Sequence, residues 1–149
     1  IRKNVIFSAI GEIWRLPENI RALIRETEEK SSGNTGMHLV AALSYSGRSE
    51  IVRAVKKIID AHIDPEAVTE SFFSAQLDTG ELPQPDLIIR TSGERRLSNF
   101  LLWQSAYAEL YFTDTLWPDF DKEEFMLAIQ DFQSRERRFG KIPARSNES

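Results

Sequence analysis

Apolar residues in this chain fall into short runs, separated by segments in which they recur every three or four positions. Val5-Ile-Phe-Ser-Ala-Ile10 is brief and β-branched at its start, and so predicts a buried strand. Pro17 opens a predicted helix in which Ile20, Leu23 and Ile24 share one face. Ser31-Ser-Gly-Asn-Thr-Gly36 stops it, with Gly33 as the residue just past the cap. His38–Tyr45 predicts a second strand. Ser46-Gly47-Arg48-Ser49 turns that strand into a helix running to about residue 61, with Ile51, Val55, Ile58 and Ile59 inward.

Asp64-Pro65 pairs a capping residue with a proline suited to a first helical turn, predicting a helix that ends near Leu77. A Gly- and Pro-containing loop, 80–85, leads to a third strand at 86–90. Ser98 or Asn99 is placed to cap a helix carrying Phe100, Leu101, Trp103, Gln104 and Tyr107, before a fourth strand at 109–113. Asp121 and Glu124 form a capping-box-like pair at the head of a long last helix. That helix ends at Arg135-Glu-Arg-Arg-Phe-Gly140, and the tail 141–149 is expected to be disordered. Strands alternating with helices predict an α/β domain with a mainly parallel sheet flanked by helices. Residues 1–140 read as a single domain without internal repeats. The chain begins with Ile1 and enters a strand almost at once, so it is expected to be a fragment of a longer protein.

Composition narrows the chemistry. Of 149 residues, 19 are Lys or Arg and 23 Asp or Glu, for a formal net charge of −4. That balance speaks against a dedicated nucleic-acid binder, so anion binding must come from a few placed arginines. There are no cysteines and only 2 histidines, which excludes disulfides, thiolate metal sites and cysteine nucleophiles. No apolar run approaches the roughly 18 residues of a membrane span.

Ligands of open α/β sheets sit at the carboxyl ends of strands. The turn after the third strand is the richest there: Arg90, Thr91, Ser92, Gly93, Glu94, Arg95, Arg96 and Ser98 precede the predicted helix. Arginine offers a planar donor fork that matches phosphate oxygens, and a helix N-terminus adds free N–H groups. No Gly-x-x-x-x-Gly-Lys or Gly-x-Gly-x-x-Gly occurs, so the residues alone indicate a phosphate or diphosphate ester of unspecified kind.

The run Asp86-Leu-Ile-Ile-Arg-Thr-Ser-Gly-Glu-Arg-Arg-Leu-Ser-Asn-Phe-Leu-Leu-Trp-Gln104 resembles the signature of the cis-prenyltransferases, the undecaprenyl diphosphate synthase family. The likeness continues through Ala106-Tyr-Ala-Glu-Leu-Tyr-Phe112, Trp117-Pro-Asp-Phe120 and Arg135–Gly140, and upstream in Gly33-Asn-Thr-Gly36 and Tyr45-Ser-Gly-Arg48. The resemblance implies a transferase adding isopentenyl diphosphate units to an allylic diphosphate such as farnesyl diphosphate, giving a long polyprenyl diphosphate such as undecaprenyl diphosphate. It implies Mg2+ as cofactor and a homodimer. It also implies a cytoplasmic enzyme that can lie peripherally at the membrane with which its product associates. By motif, Arg90, Arg96 and Ser98 are expected to bind isopentenyl diphosphate, with Arg138 and Gly140 contributed in trans from a second subunit. Glu109 is expected to help hold the magnesium. Met37, Leu39 and Ala41 alternate on one strand face and are expected to line a product tunnel or to pack in the core.

Two family segments have no counterpart here: Asp-Gly-Asn-Gly-Arg-Trp, whose aspartate binds magnesium, and Phe-Ser-x-Glu-Asn-Trp. The chain therefore resembles the C-terminal half of a member, with the isopentenyl diphosphate half-site present, no catalytic residue of its own, and no turnover expected from the fragment. Tyr45-Ser46-Gly47 also replaces the frequent Tyr-Gly-Gly. The alternatives are a non-catalytic partner subunit of a heteromeric cis-prenyltransferase, or an unrelated phosphate-binding α/β protein.

Overall fold

The computed structural model describes residues 4–135. Arg138, Gly140 and the expected tail at 141–149 lie outside them. The chain forms two compact units, Ile1–Pro85 with Leu97–Tyr107, and Asp86–Arg96 with Ala108–Ser149. Each has a parallel two-stranded sheet flanked by a helix, so the α/β class is as expected.

In the first unit, β1 (Ile6–Ile10) pairs in parallel with β2 (His38–Ala42), with Ile6 opposite His38 and Ile10 opposite Ala42. Helix α1 (Glu18–Ser31) joins them, and its inward face differs from the apolar one expected. Ile20 and Leu23 are exposed, and the residues turned to β1 are Ile24, Glu28 and Ser31, spaced four and then three apart. Ser31 Oγ accepts the Phe7 N–H at 3.0 Å and Glu28 Oε1 the Ala9 N–H at 2.9 Å. These are the alternate donors that pairing with β2 leaves over, so polar side chains of α1 blunt this edge of β1. Gly33 follows the cap Ser32 but does not take the left-handed conformation expected of a helix stop.

Helix α2 (Gly47–Asp60) begins in the predicted turn and is capped by Ser46, whose Oγ accepts the Ser49 N–H. Its buried stripe is Gly47, Glu50 and Ala54, while Val55 and Ile59 are exposed and Ile51 and Ile58 half-buried. The expected inward set was too large: small residues lie where the helix comes closest to its neighbours. Asp64-Pro65 starts only a single 3-10 turn, Pro65–Ala67, and α3 (Glu70–Ala75) has its own cap in Thr69.

Glu50 is 1% exposed, and its carboxylate is held by nearby Tyr45 and by two groups distant in sequence. Tyr45 Oη donates at 2.5 Å, the Asp78 N–H at 2.9 Å, and Gln104 Nε2 to both oxygens at 3.3 and 3.1 Å. Gln104, itself buried, also donates to Thr79 Oγ1 at 2.7 Å. Burial, followed by the hydrogen bond to Glu50 and its charge, pushes the Tyr45 hydroxyl well above the usual tyrosine range. The folded state thus holds this proton more tightly than the unfolded chain, whose tyrosines ionise near pH 10. Tyr45 contributes its full stability below that pH. As pH rises beyond it, the unfolded state loses protons first and stability falls. Denaturant midpoints between about pH 9 and 11 should drop more steeply in the parent than in Tyr45→Phe; equal slopes would mean the phenol titrates normally.

In the second unit, β3 (Leu87–Arg90) pairs in parallel with β4 (Glu109–Phe112), Leu87 opposite Glu109 and Arg90 opposite Phe112. Helix α4 (Lys122–Ser134) packs on β4 and buries Ala128. Asp121 Oδ1 caps it as expected, accepting the Glu123 and Glu124 N–H groups at 2.9 and 3.0 Å. The reciprocal half of the capping box is not made, because the Glu124 side chain turns to Thr113 and Thr115 instead.

The helix expected after Ser98 is absent. Ser98, Asn99 and Leu101 have φ of 47, 65 and 46°, and only a 3-10 turn forms, at Gln104–Tyr107. The left-handed region is incompatible with an α-helical turn and rare for leucine. The strand–helix–strand connection expected between β3 and β4 is therefore an irregular one.

Candidate functional site

Arg90 closes β3, and its half-buried guanidinium has no hydrogen bond or ion pair among the described residues. Next come Ser92 and Gly93, both left-handed with φ of 72 and 71°. Their N–H groups are not available to a ligand: Ser92 donates to Thr115 O and Gly93 to Thr113 O, each at 2.9 Å. Thr113 N–H in turn donates to Arg90 O at 3.0 Å. The Thr115 hydroxyl donates to Glu124 Oε2 at 3.0 Å, so the turn is anchored to α4 through the 113–115 segment. A Cβ on Gly93 would stand 3.1 Å from Asp114 Oδ1 as well as needing positive φ, which explains glycine there.

This corrects the expected source of the site's positive potential. With no α-helix beginning near Ser98, the helix N-terminus expected to serve the turn is not formed. What remains is side-chain chemistry: Arg90 unpaired among the described residues, Arg95 exposed, and Arg96 exposed and ion-paired with Glu94. In the other unit, the exposed Ser98 likewise makes no hydrogen bond among the described residues.

Glu109 begins β4, its N–H donating to Asp86 O at 2.9 Å. Its carboxylate accepts Arg135 Nη1 at 2.8 Å, and Arg135 Nη2 donates to Asp131 at 2.5 Å. These two carboxylates, Glu109 first, hold the Arg135 guanidinium above its ordinary pKa. Sequence reasoning missed this ion pair, because Arg135 looked only like the start of a basic helix end. Among the described residues no three His, Cys, Asp or Glu side chains gather as a metal cluster. Glu109 could supply a single carboxylate to magnesium. That fits an ion which keeps its waters and takes its other ligands from phosphate oxygens.

Met37 and Leu39 are 65% and 51% exposed, and Ala41 is half-buried. Core packing therefore does not account for the first two among the described residues.

The structure is a parallel α/β fold with an arginine, unpaired among the described residues, at the end of a strand, and comparison with known proteins gives it a family. A family model described as "Putative undecaprenyl diphosphate synthase" matches residues 1–140. This chain belongs to that family. It is 49% identical over 142 residues to an isoprenyl transferase of Porphyromonas gingivalis, covering 93% of this chain and 56% of that protein. It is 50% identical over 147 residues to an isoprenyl transferase of Streptococcus pyogenes, covering 93% and 59%. Among solved structures, a lavandulyl diphosphate synthase of Lavandula x intermedia, in complex with dimethylallyl diphosphate, aligns with a TM-score of 0.89 at 39% identity. That alignment covers 95% of this chain and 62% of the plant chain. The chain thus spans somewhat over half the length of the relatives it matches.

Proposed function

We propose that this chain carries the isopentenyl diphosphate half-site of a magnesium-dependent cis-prenyltransferase. The observation that carries the reading is Arg90: a half-buried guanidinium without an anionic partner among the described residues, inside the run 86–104 that resembles the family's signature. Arg90, Arg96 and Ser98 would take the diphosphate oxygens, Arg96 by exchanging Glu94 for the ligand. Arg138 and Gly140 would complete the site from a second subunit of a homodimer. Such a site positions its substrate and neutralises charge, and needs no nucleophile or general base from this segment. Bound magnesium would neutralise diphosphate charge, with Glu109 as its protein carboxylate. Without the family's Asp-Gly-Asn-Gly-Arg-Trp segment, the chain by itself should bind isopentenyl diphosphate and not elongate it.

Titration of the chain with isopentenyl diphosphate tests the reading, with ATP as the competing phosphate ester. Saturable binding of isopentenyl diphosphate in preference to ATP supports it, and absence of binding or preference for ATP overturns it. The metal assignment has its own check. Chelating divalent ions should weaken binding by about tenfold in the parent and change little in Glu109→Ala. An equal response of the two proteins would remove Glu109 from the metal.

A further inference from the structure

Asn99 was expected to cap a helix starting beside it, and instead it caps one that begins fifty-two residues earlier (99 minus 47). Its backbone carbonyl accepts the Gly47 N–H at 2.8 Å, and its Oδ1 accepts the Arg48 N–H at 2.9 Å. Its Nδ2 donates to the Oγ of Ser46, the α2 cap residue, at 2.6 Å. Two first-turn donors of α2, the Gly47 and Arg48 N–H groups, are thus taken up by one residue, while Ser46 Oγ takes the Ser49 N–H. The fit is close. A Cβ on Gly47 would meet Leu102 Cγ at 3.0 Å, Asn99 O at 3.1 Å and Leu102 N at 3.2 Å. Two of those three atoms are backbone and cannot swing aside, so glycine at 47 is what lets the 98–102 segment lie against α2.

The same contact explains why no helix forms after Ser98. Phe100, Leu101, Trp103 and Gln104 recur at helical spacing, and local preference alone would wind them up. With Asn99 fixed on α2 at φ 65°, and Ser98 and Leu101 also left-handed, the backbone is held out of that register. Residues in sparsely populated backbone regions persist only where surrounding contacts over-determine them. Ser98 is the residue immediately before the clamp and stays exposed without a hydrogen bond among the described residues.

We propose that Asn99 is a positioning residue for diphosphate binding: its three hydrogen bonds to Ser46–Arg48 hold Ser98 in an outward, left-handed conformation with its hydroxyl free for the ligand. The Tyr45-Ser-Gly-Arg48 motif is, on this account, the other half of the clamp. The inference rests on Ser98 being an isopentenyl diphosphate ligand.

A double-mutant cycle separates positioning from general loosening. Asn99→Gly removes the side-chain clamp while keeping the left-handed backbone accessible. Affinity for isopentenyl diphosphate should fall by about fivefold in Ser98→Ala, by a similar factor in Asn99→Gly, and by no more than that in the double variant. Gly47→Ala, which displaces the segment from the α2 side, should show the same loss and the same lack of additivity. A double variant weakened about twenty-five-fold, or an Asn99→Gly protein that binds like the parent, would overturn the clamp. The underlying reading fails differently. If Ser98→Ala binds like the parent, Ser98 is no ligand and the clamp falls with it. If Arg90→Ala does so too, the half-site itself is wrong.

Discussion

Replacing Arg90 with alanine should weaken isopentenyl diphosphate binding by about ten- to a hundredfold, with the thermal midpoint of the free protein unchanged or raised. The factor follows from one charge-assisted, two-pronged hydrogen bond, which contributes about 1.5–3 kcal/mol. Three structural features place Arg90 at the upper end. It closes a strand, so its backbone is fixed by the ladder to β4 and by the Thr113 N–H on its carbonyl. It is half-buried, which limits screening by water. It has no competing carboxylate among the described residues, so no internal ion pair must be broken when the ligand arrives. The unchanged stability follows from the same fact, since removing a partly buried charge with no polar partner among the described residues breaks no ion pair or hydrogen bond among them. Arg96→Ala should act in the same direction but less, because its guanidinium leaves Glu94 to reach the ligand and the lost interaction is partly offset. Arg90→Lys keeps the charge and loses the fork, and should fall between parent and alanine. Arg95→Ala is the control, an exposed neighbour expected to shift affinity by less than about twofold. Calorimetric titration of the four variants reads all of this. Equal losses in Arg90→Ala and Arg95→Ala would reduce the turn to a nonspecific basic patch.

That ranking could not have been made from the sequence, although the turn itself could be located there. Short apolar runs marked the four strands among the described residues to within a few positions, and Asp64 and Asp121 were recognisable as caps. What escaped was set by contacts between distant segments. The periodicity of 98–107 is helical, yet Asn99 bonds to the first turn of α2 and the backbone at Ser98, Asn99 and Leu101 is left-handed. The apolar faces assigned to α1 and α2 went wrong for a related reason. An inward position next to a closely approaching strand or loop takes a small or hydrogen-bonding residue, as at Ser31, Gly47 and Ala54, and pushes larger aliphatics such as Leu23 and Ile59 to the surface. A carboxylate in the first turn of a helix ordinarily reads as a dipole partner in water. Nothing local to Glu50 says that Asp78 and Gln104 will close over it. Likewise the pairing of Arg135 with Glu109 joins residues 26 apart, which no local motif announces.

Glu50→Ala should be the most damaging single change to stability, costing about 3–5 kcal/mol. The estimate comes from what would be left behind. The Gln104 amide loses its acceptor at a buried site, and the Asp78 N–H and Tyr45 lose theirs at half-buried ones. Each donor stranded in this way costs about 1–3 kcal/mol, and the cavity adds to it. Gln104 has little room to recover, since its Oε1 already lacks a partner and Thr79 is its one remaining acceptor. Glu50→Gln preserves shape and keeps an acceptor for Tyr45, but sets an amide N–H2 against the donors of Asp78 or Gln104. Its loss should therefore be real but smaller. Glu26→Ala, which removes an exposed i, i+4 pair with Lys30, should leave the denaturant midpoint where it was. Urea unfolding of the three variants distinguishes a polar keystone from a replaceable contact: a Glu50→Ala midpoint within error of Glu26→Ala would show the network to be dispensable. If the large loss is found, it bears on the site as well, because Gln104 belongs to the same segment as Ser98 and Asn99. The buried carboxylate then anchors one end of that segment while α2 grips the other, and the irregular backbone between them is held at both ends by helix α2 residues, Glu50 and Gly47–Arg48.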